Sequence, residues 1–260
     1  MKKKILITGG PTNEYIDEVM KITNMSTGRL SVELTKYFAY AGYDVTLICC
    51  RSVARGGLYE RYKIANMPGV KTVQIETTED MQNALIEASK EGGYDLIIHC
   101  AAVGDYKPSF TFRMEDMAKE IADRIENGAK PDAETILSIM TDPKCKVNDD
   151  TKISSYEPNL TVKLTLTPKL ISMLRERFPG AKIVGFKLLE NVTREHLIEV
   201  AQKLCIRNGT DYIIANDLHD LRENRHISYL VNKDGYCDCD FHAPYDIFEK
   251  TRSLIDSDCC

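Results

Sequence analysis

Short apolar runs alternate with longer amphipathic stretches along most of the chain. Runs such as DLIIHCAA and DYIIAND are almost continuously apolar, which predicts strands that are buried on both faces. The amphipathic stretches between them predict helices with one buried face. The predicted strands are Lys4–Thr8, Asp44–Cys49, Thr72–Glu76, Asp95–Ala101, Thr161–Leu166, Lys182–Phe186 and Asp211–Ala215. The predicted helices are Leu30–Ala41, Thr78–Glu91, Pro168–Phe178 and Thr193–Asn208.

This alternation predicts an α/β fold, namely a Rossmann-like, doubly wound and mostly parallel sheet with helices on both faces. Glycines directly past three of the helices predict left-handed caps at Gly42, Gly180 and Gly209. Further along, HISYLVNKDG and YCDCDFH predict a C-terminal antiparallel hairpin, followed by a helix at Asp246–Ile255. No repeat or low-complexity linker interrupts the sequence, so residues 1–260 are expected to form a single domain.

Residues 108–151 depart from the alternation. Two weakly helical stretches, FTFRMEDMAKEIADRIENG and DAETILSIM, precede a polar stretch that predicts a loop. The segment is interpreted either as a peripheral helical insertion or as a cover or dimerisation element over the carboxyl edge of the sheet. The pattern favours neither interpretation over the other.

Composition argues against several classes of protein. The chain of 260 residues has a net charge of -5, which argues against a generally basic surface for nucleic acid. No apolar run reaches the length of about eighteen residues that a membrane helix needs, and the run after the basic N-terminus is too short for a signal peptide. We therefore expect a cytoplasmic protein without a nucleic-acid or membrane partner. The nine cysteines show no CxxC spacing and are expected to be free thiols.

The candidate chemistry lies at the ends of the predicted strands. In open parallel sheets, ligands bind at the carboxyl ends of the strands, near the point where the strand order reverses. Small or polar residues follow four of the predicted strands, in TGGP, AAVGDY, VGFK and AND. Small residues let a ligand approach the backbone, and Asp105 and Asn216 are suited to contact hydroxyl groups or a metal–phosphate.

The first crossover connection is unusually long. About twenty residues separate Gly9-Gly10-Pro11 from the predicted helix, which begins after Ser26-Thr27-Gly28. The N–H groups and the dipole of a helix start favour an anion, which predicts a second ligand loop there. The alternative is that Ser26 or Thr27 only caps the helix. Because capping alone does not explain the length of the crossover, we prefer the anion site.

The sequence motifs of two large nucleotide-binding classes are absent. Gly9-Gly10 continues as Pro-Thr-Asn rather than as G-x-G-x-x-G, and no G-x-x-x-x-G-K-[ST] occurs. Tyr59-x-x-x-Lys63 matches the spacing of short-chain dehydrogenases, but it follows only the second strand, in a stretch that we expect to be exposed. A NADPH-dependent reductase on a Rossmann-like sheet is therefore kept only as an alternative.

Six motifs together resemble one enzyme family. In order, ITGGPTNEYIDEVMKITNMSTGRL, HCAAVGDYKP, KISS, LTPKLI, VGFKLL and TDYIIAND are similar to the motifs of phosphopantothenate–cysteine ligases, in their free-standing bacterial form, from about residue 3 to residue 217. The resemblance implies coenzyme A biosynthesis: 4'-phosphopantothenate is activated by CTP as an acyl-cytidylate with release of pyrophosphate, and L-cysteine then displaces CMP. It also implies magnesium, bound mainly through the triphosphate, and a homodimer.

The resemblance assigns roles to individual residues. Asn24 and the flap residue Lys152 are expected to act in catalysis. The residues expected around the nucleotide are Gly10, Ser26, Gly28, Ala101, Asp105, Lys152, Thr167, Pro168, Lys169, Leu170, Phe186, Lys203 and Asn216. The residues expected around phosphopantothenate are Asn24, Ala101, Ala102, Asp105 and Lys21.

Several positions depart from the family pattern. Met20 stands where the family often has an arginine that reaches phosphopantothenate from the neighbouring subunit, and Lys21 is the adjacent candidate to replace it. Ser154 replaces a second flap lysine. Of two nucleotide-contacting lysines, Lys203 lies near one and Asn208 occupies the place of the other. A non-catalytic nucleotide-binding homologue is therefore the second alternative.

Overall fold

A computed structural model describes residues 2–147, 153–154, 156, 158–223, 227–235 and 237–256. Its strands are β1 (Lys4–Gly9), β2 (Asn13–Tyr15), β3 (Lys21–Thr23), β4 (Asp44–Cys50), β5 (Val70–Ile75), β6 (Tyr94–His99), β7 (Tyr106–Arg113), β8 (Lys146–Val147), β9 (Leu160–Leu166), β10 (Lys182–Leu189), β11 (Tyr212–Asp217), β12 (Ser228–Val231) and β13 (Cys237–Phe241). Its helices are α1 (Arg29–Tyr40), α2 (Arg51–Ala54), α3 (Gly57–Arg61), α4 (Thr78–Glu91), α5 (Met114–Glu126), α6 (Ala133–Thr141), α7 (Leu170–Arg177), α8 (Arg194–Asn208), α9 (Leu218–Arg222) and α10 (Pro244–Asp256).

The main sheet has eight strands in the order β13-β12-β11-β10-β6-β1-β4-β5. The strands from β11 to β5 pair in parallel, whereas β12 and β13 add an antiparallel hairpin at one edge. This arrangement confirms the predicted Rossmann-like sheet and its C-terminal hairpin. The chain moves outward from β1 through β4 to β5 and then returns to β6 on the other side of β1. The strand order therefore reverses between β1 and β6, where ligands of such sheets bind.

The chain divides into two compact units. The first unit comprises Met1–Thr12, Asn24–Val103 and Pro168–Cys260, and the second comprises Asn13–Thr23 and Gly104–Thr167. The first unit contains the main sheet. The second contains the β2–β3 hairpin, the helices α5 and α6, and a three-stranded antiparallel sheet in the order β8-β7-β9. The expectation that residues 1–260 form a single family domain stays a prediction.

The core of the first unit lies on the central strands of its sheet. Three successive residues in each of β1 and β6 have no exposed surface, which confirms that these strands are covered on both faces. Phe38 of α1 meets Phe248 of α10 edge to face, with ring centroids 4.9 Å apart. The closing helix is thus packed against the first helix of the sheet. Five cysteines with described thiols are free, as expected: Cys49, Cys50, Cys100, Cys145 and Cys205.

The structure corrects the interpretation of residues 108–151 in part. The helices α5 and α6 confirm its helical character, but FTFR forms the end of β7, and the first helix begins only at Met114. The predicted strand Thr161–Leu166 also forms, yet it pairs antiparallel with β7 in the second unit. Its last residues are exposed, with Leu166 67% accessible, which is inconsistent with a doubly buried parallel strand.

One predicted glycine cap is wrong. Gly42 and Gly209 adopt left-handed conformations with φ values of 90° and 61°, as expected. Gly180 has no such conformation, because α7 already ends at Arg177 and the chain turns through a hydrogen bond from Ala181 N–H to the Phe178 carbonyl (3.2 Å). A turn closed in this way does not need a residue with positive φ.

Candidate functional site

The segments after β1 and β6 remain paired beyond the strands. The backbone N–H of Ala102 donates to the Gly10 carbonyl at 2.9 Å, and Pro11 forms a parallel bridge with Ala102. Thr12 N–H donates back to the Ala102 carbonyl at 3.4 Å. The glycine turn and the AAVG segment therefore meet at the point where the strand order reverses. The structure thus brings the predicted site residues Gly10, Ala101 and Ala102 to this edge of the sheet.

Two predicted nucleotide-binding glycines pack directly against each other. Gly10 and Gly28 have φ values of 77° and 67°, which other residues rarely adopt. A Cβ atom on Gly28 would lie 3.3 Å from the Gly10 Cα and 2.4 Å from Cγ2 of Val53. A Cβ atom on Gly10 would lie 2.5 Å from the same methyl group. The glycine turn thus contacts the start of α1, and Val53 was not predicted to support this contact.

The start of α1 tests the capping alternative. Gly28 occupies the N-cap position in a left-handed conformation, and none of the described side chains makes a capping hydrogen bond there. Ser26 and Thr27 instead accept backbone N–H groups two residues ahead, from Gly28 and Arg29, at long distances of 3.4 Å. These bonds shape the loop rather than satisfy the second or third N–H of the helix. Capping therefore does not account for the two hydroxyls, and the anion site stays a prediction.

Asn24 links the long crossover to the AAVG segment. Its side-chain Nδ2 donates to the carbonyl oxygens of Ala102 (3.2 Å) and Val103 (3.1 Å). Asn24 itself is exposed, so a ligand can reach its amide. Both segments belong to the first unit. The residue predicted to act in catalysis therefore lies next to the backbone predicted to line both substrates.

A buried polar pair supports this edge, and the sequence analysis missed it. Thr8 is the second-last residue of β1 and His99 is the last residue of β6, and Oγ1 of Thr8 lies 2.8 Å from Nδ1 of His99. The Ala101 N–H donates to the same Oγ1 at 3.4 Å, and the Cys100 thiol donates to the Thr8 carbonyl at 2.9 Å. Burial lowers the pKa of His99 to about 4, so its ring is neutral near pH 7. The sequence feature that could have revealed this pair is a histidine at the end of an apolar run.

The remaining predicted nucleotide-binding residues of the first unit lie on strands and on a helix, and they have different surroundings. Phe186 is half-buried against the core. The amide of Asn216 donates to the Ser228 hydroxyl and to the Ile227 carbonyl (3.4 Å), so this side chain also holds the edge of β12. Lys203 pairs with Glu199 at 2.5 Å on the exposed face of α8. Their proposed contacts with a nucleotide stay predictions.

The TPKL turn spans the boundary between the two units. Lys169 precedes α7 as its exposed N-cap residue, Pro168 before it is also exposed, and Leu170 is 2% exposed and belongs to the core. The Leu170 side chain is thus buried in the core, and its predicted contact with the nucleotide stays a prediction. Thr167 belongs to the second unit, where its hydroxyl donates to the Gly104 carbonyl.

The other predicted site residues of the second unit are exposed where the structure describes them. Asp105 is exposed, and its backbone carbonyl accepts the Thr167 N–H at 3.0 Å. Lys21 is exposed at the start of β3. Lys152 lies outside the described residues, whereas Ser154 is described and exposed. Across the described part of the chain, no group of three or more His, Cys, Asp and Glu side chains could hold a metal ion.

A comparison with models of known protein families identifies the family of this chain. Residues 1–120 and 113–241 match the model of the DNA/pantothenate metabolism flavoprotein C-terminal domain. The chain belongs to this family. The family resemblance inferred from the six motifs is thereby confirmed. None of the described helices is both long and apolar enough to cross a membrane.

Relatives of the chain carry names from one pathway. Proteins named coenzyme A biosynthesis bifunctional protein CoaBC, from Thermococcus kodakarensis and Methanocaldococcus jannaschii, are each 29% identical over 232 residues, which is 89% and 88% of this chain. The chain spans only 45% of each of these relatives. What they do as whole proteins is therefore not transferred to this chain by similarity alone.

Solved structures of the family share the fold. The DNA/pantothenate metabolism flavoprotein from Streptococcus pneumoniae has a TM-score of 0.78 and 31% identity, with 98% of this chain and 99% of that chain covered. A variant of Cab2 in complex with phosphopantothenate-cysteine has a TM-score of 0.63 and 17% identity, with 98% and 87% covered. The second likeness supports the fold alone.

Proposed function

We propose that this chain ligates 4'-phosphopantothenate and L-cysteine in coenzyme A biosynthesis, with CTP as the co-substrate. The observation that carries the proposal is the position of Asn24, whose amide contacts the Ala102 and Val103 carbonyls at the reversal point of the sheet. The family resemblance assigns both this asparagine and this segment to contacts with phosphopantothenate. The names of the curated relatives, which place those proteins in coenzyme A biosynthesis, support the same chemistry.

The proposed reaction has two steps, and each needs a different contribution. In the first step, a carboxylate oxygen of 4'-phosphopantothenate attacks the α-phosphorus of CTP, and pyrophosphate leaves. In the second step, the amine of cysteine attacks the acyl carbon, loses a proton, and CMP leaves. Both steps require that two highly anionic substrates are held with their reacting atoms in contact. The amide of Asn24 can donate a hydrogen bond where negative charge develops, at any pH near neutrality.

The remaining roles follow the family motifs. Gly10, Ser26 and Gly28 are proposed to surround the phosphates, where backbone N–H groups at the start of α1 favour negative charge. Lys152 is proposed to neutralise charge on the triphosphate, and Lys21 to contact phosphopantothenate. Magnesium is proposed to bind mainly through the triphosphate, and no residue is assigned to it. We also propose that the chain acts as a homodimer.

The reductase alternative is not favoured. Tyr59, which would have to be its catalytic tyrosine, is 5% exposed, and its hydroxyl lies 2.9 Å from Oγ1 of Thr72. A general acid must reach its substrate, and this hydroxyl is instead engaged with β5. Lys63 is exposed beyond α3 in a left-handed conformation. The spacing of the two residues is therefore coincidental.

Pyrophosphate release tests the proposal. Purified protein is incubated with magnesium, 4'-phosphopantothenate and L-cysteine, and CTP is compared with ATP. Release should require phosphopantothenate and should be faster with CTP. The Asn24→Asp variant should lose amide formation by about a hundredfold or more, because it replaces a donor by a charged acceptor beside two carbonyls. Lys152→Gln should also lower the rate.

A matched control separates this role from a general effect of the charge change. Asn127 is an exposed asparagine whose amide donates to the Asp123 carbonyl at 2.6 Å, so Asn127→Asp makes the same exchange at a residue outside the six family motifs. Its rate should stay within about twofold of the parent chain. If no triphosphate is consumed with any combination of substrates, the non-catalytic alternative replaces the ligase.

A further inference from the structure

A buried aspartate joins two distant segments of the second unit. Asp17 lies between β2 and β3 and is 8% exposed. Its Oδ1 accepts the backbone N–H groups of Val19 at 2.7 Å and Met20 at 2.5 Å. Its Oδ2 accepts the backbone N–H of Ile153 at 3.0 Å, from a residue 136 positions away in the sequence. We call these three hydrogen bonds the Asp17 clasp.

Further contacts lie on each side of the Asp17 clasp. The turn is also closed by a bond from Ile16 N–H to the Met20 carbonyl at 2.9 Å, and β2 pairs with β3 directly behind it. On the other side, the Ile153 side chain is 4% exposed, so that both its backbone and its side chain are held. Hydrogen bonds from N–H groups to a buried carboxylate are stronger than those between neutral groups. The clasp therefore fixes the two segments relative to each other.

The residues held by the clasp adjoin two lysines with proposed roles. Met20 directly precedes Lys21, which is proposed to contact phosphopantothenate, and Ile153 directly follows Lys152, which is proposed to contact the triphosphate. A lysine side chain is long and flexible, so its reach is set by the position of its own backbone. One carboxylate thus bonds to residues that directly adjoin both predicted cationic contacts in the sequence.

We propose that Asp17 is a positioning residue that holds the backbone next to Lys21 and the backbone next to Lys152 in one arrangement. The two anionic substrates are then bound at a defined separation, which a reaction between them requires. This inference rests on the proposed function. It assigns to Asp17 no contact with either substrate.

Hydrogen–deuterium exchange of the unliganded chain tests the clasp without any substrate. In Asp17→Asn the side-chain oxygen can still accept from Val19 and Met20, but the NH2 group then faces the Ile153 N–H. Two donors cannot bond to each other, so the Ile153 amide should exchange at least about tenfold faster. The amides of Val19 and Met20 should change less. Unchanged exchange at Ile153 would overturn the clasp.

The matched control is another carboxylate of the same unit. Asp132 caps α6 by accepting the Thr135 N–H at 2.9 Å, and among the described residues it bonds to no distant segment. Asp132→Asn should leave exchange at Ile153 as in the parent chain. If Asp17→Asn does not fold, Asp17→Glu, which keeps the charge but displaces both oxygens, is measured with the same expectation.

Steady-state kinetics test the positioning role. In Asp17→Asn the KM values for 4'-phosphopantothenate and CTP should rise together by about tenfold, whereas the KM for L-cysteine stays within about twofold. If Asp17 only stabilises the fold, Asp17→Asn should lower the melting temperature and leave the three KM values unchanged. That result would overturn the inference. A parent chain without ligase activity would overturn the proposed function and the positioning role, while the clasp would still be judged by exchange at Ile153.

Discussion

The hydroxyl oxygen of Thr8 and Nδ1 of His99 lie 2.8 Å apart at the ends of two neighbouring parallel strands. The two residues are register partners in the pairing of β1 with β6. Both are buried, with 0% and 6% of their surface exposed. The pair fixes the point at which the strands end and the AAVG segment begins, since the Ala101 N–H donates to the same hydroxyl oxygen.

The first prediction concerns stability at acidic pH. Burial lowers the pKa of His99 from 6.5 to about 4. Between these values the unfolded chain binds a proton that the folded chain does not bind, so stability is lost as the pH falls through this window. At pH 5 the loss from His99 should be about 2 kcal/mol. Urea unfolding at pH 7.5 and pH 5 measures it.

The variant His99→Asn is the control for this titration. It keeps a polar side chain near Thr8 but has no proton to bind in this range, so its stability should fall less steeply between the two pH values. All other titrating groups are common to both proteins and cancel in the comparison. The same pH dependence in both proteins would contradict the assignment of the effect to His99.

The second prediction concerns the close approach of the two glycine loops. Gly28→Ala places a methyl group 2.4 Å from Cγ2 of Val53 at a φ of 67°. Gly42→Ala also imposes backbone strain, at a φ of 90°, but no atom of the described residues lies within 4 Å of its Cβ. We expect Gly42→Ala to cost about 1 kcal/mol and Gly28→Ala about 3 kcal/mol, because overpacking adds to the strain. Chemical denaturation provides both values.

A double variant tests whether Val53 is the neighbour that clashes with the added methyl group. In Gly28→Ala/Val53→Ala the loss of stability should be smaller than the sum of the two single losses, because the second substitution removes the methyl groups that clash. Strictly additive losses, or equal losses for Gly28→Ala and Gly42→Ala, would show that Val53 does not limit the approach of the loops.

Local patterns predicted most of the main sheet and its helices. The helix predicted at Thr78–Glu91 has the same bounds in the structure, where Thr77 and Asp80 form a capping box at its start. Its apolar positions repeat with the helical period, and its first turn has the expected acidic residues. Such signals are local, so one sequence suffices to detect them.

The second unit shows where the sequence was insufficient. Thr161–Leu166 was predicted as a strand, but its partner β7 is more than forty residues earlier, and the pattern of one strand does not identify its partner. The end of β7 was included in a predicted helical stretch because Phe110 and Phe112 directly precede the residues with the helical pattern. Pairing with β9 overrides that local preference.

The candidate site was also predictable only where its features do not depend on contacts between distant segments. The rule for the carboxyl ends of parallel strands predicted the location of Gly10 and Ala102, because it depends only on strand order. The contacts of Val53, His99 and Asp17 were missed, since each joins segments that are far apart in the sequence. Only the local part of the Asp17 clasp had a signal, because an aspartate commonly accepts the N–H two residues ahead.

The third prediction concerns an arginine that joins three segments of the first unit. Arg175 in α7 donates to the carbonyls of Gly209 (2.8 Å) and Ala181 (3.0 Å), and to the Asp211 carboxylate at 2.5 Å. The same carboxylate oxygen accepts the Ile183 N–H at 2.8 Å. The guanidinium thus connects the end of α7 with the start of β10 and with the turn before β11.

Arg175→Lys keeps the charge but cannot reproduce these directions, because a lysine has a single nitrogen on a flexible stem. We expect a loss of about 2 kcal/mol in the free energy of unfolding, mainly from the partly buried hydrogen bonds to the Ala181 carbonyl and the Asp211 carboxylate. The matched control is Arg177→Lys, at an exposed position of the same helix, which should change stability by less than about 0.5 kcal/mol. Urea unfolding at pH 7.5 compares the two variants. A similar small change in both would mean that charge alone accounts for the contribution of Arg175, because charge is what the substitution preserves.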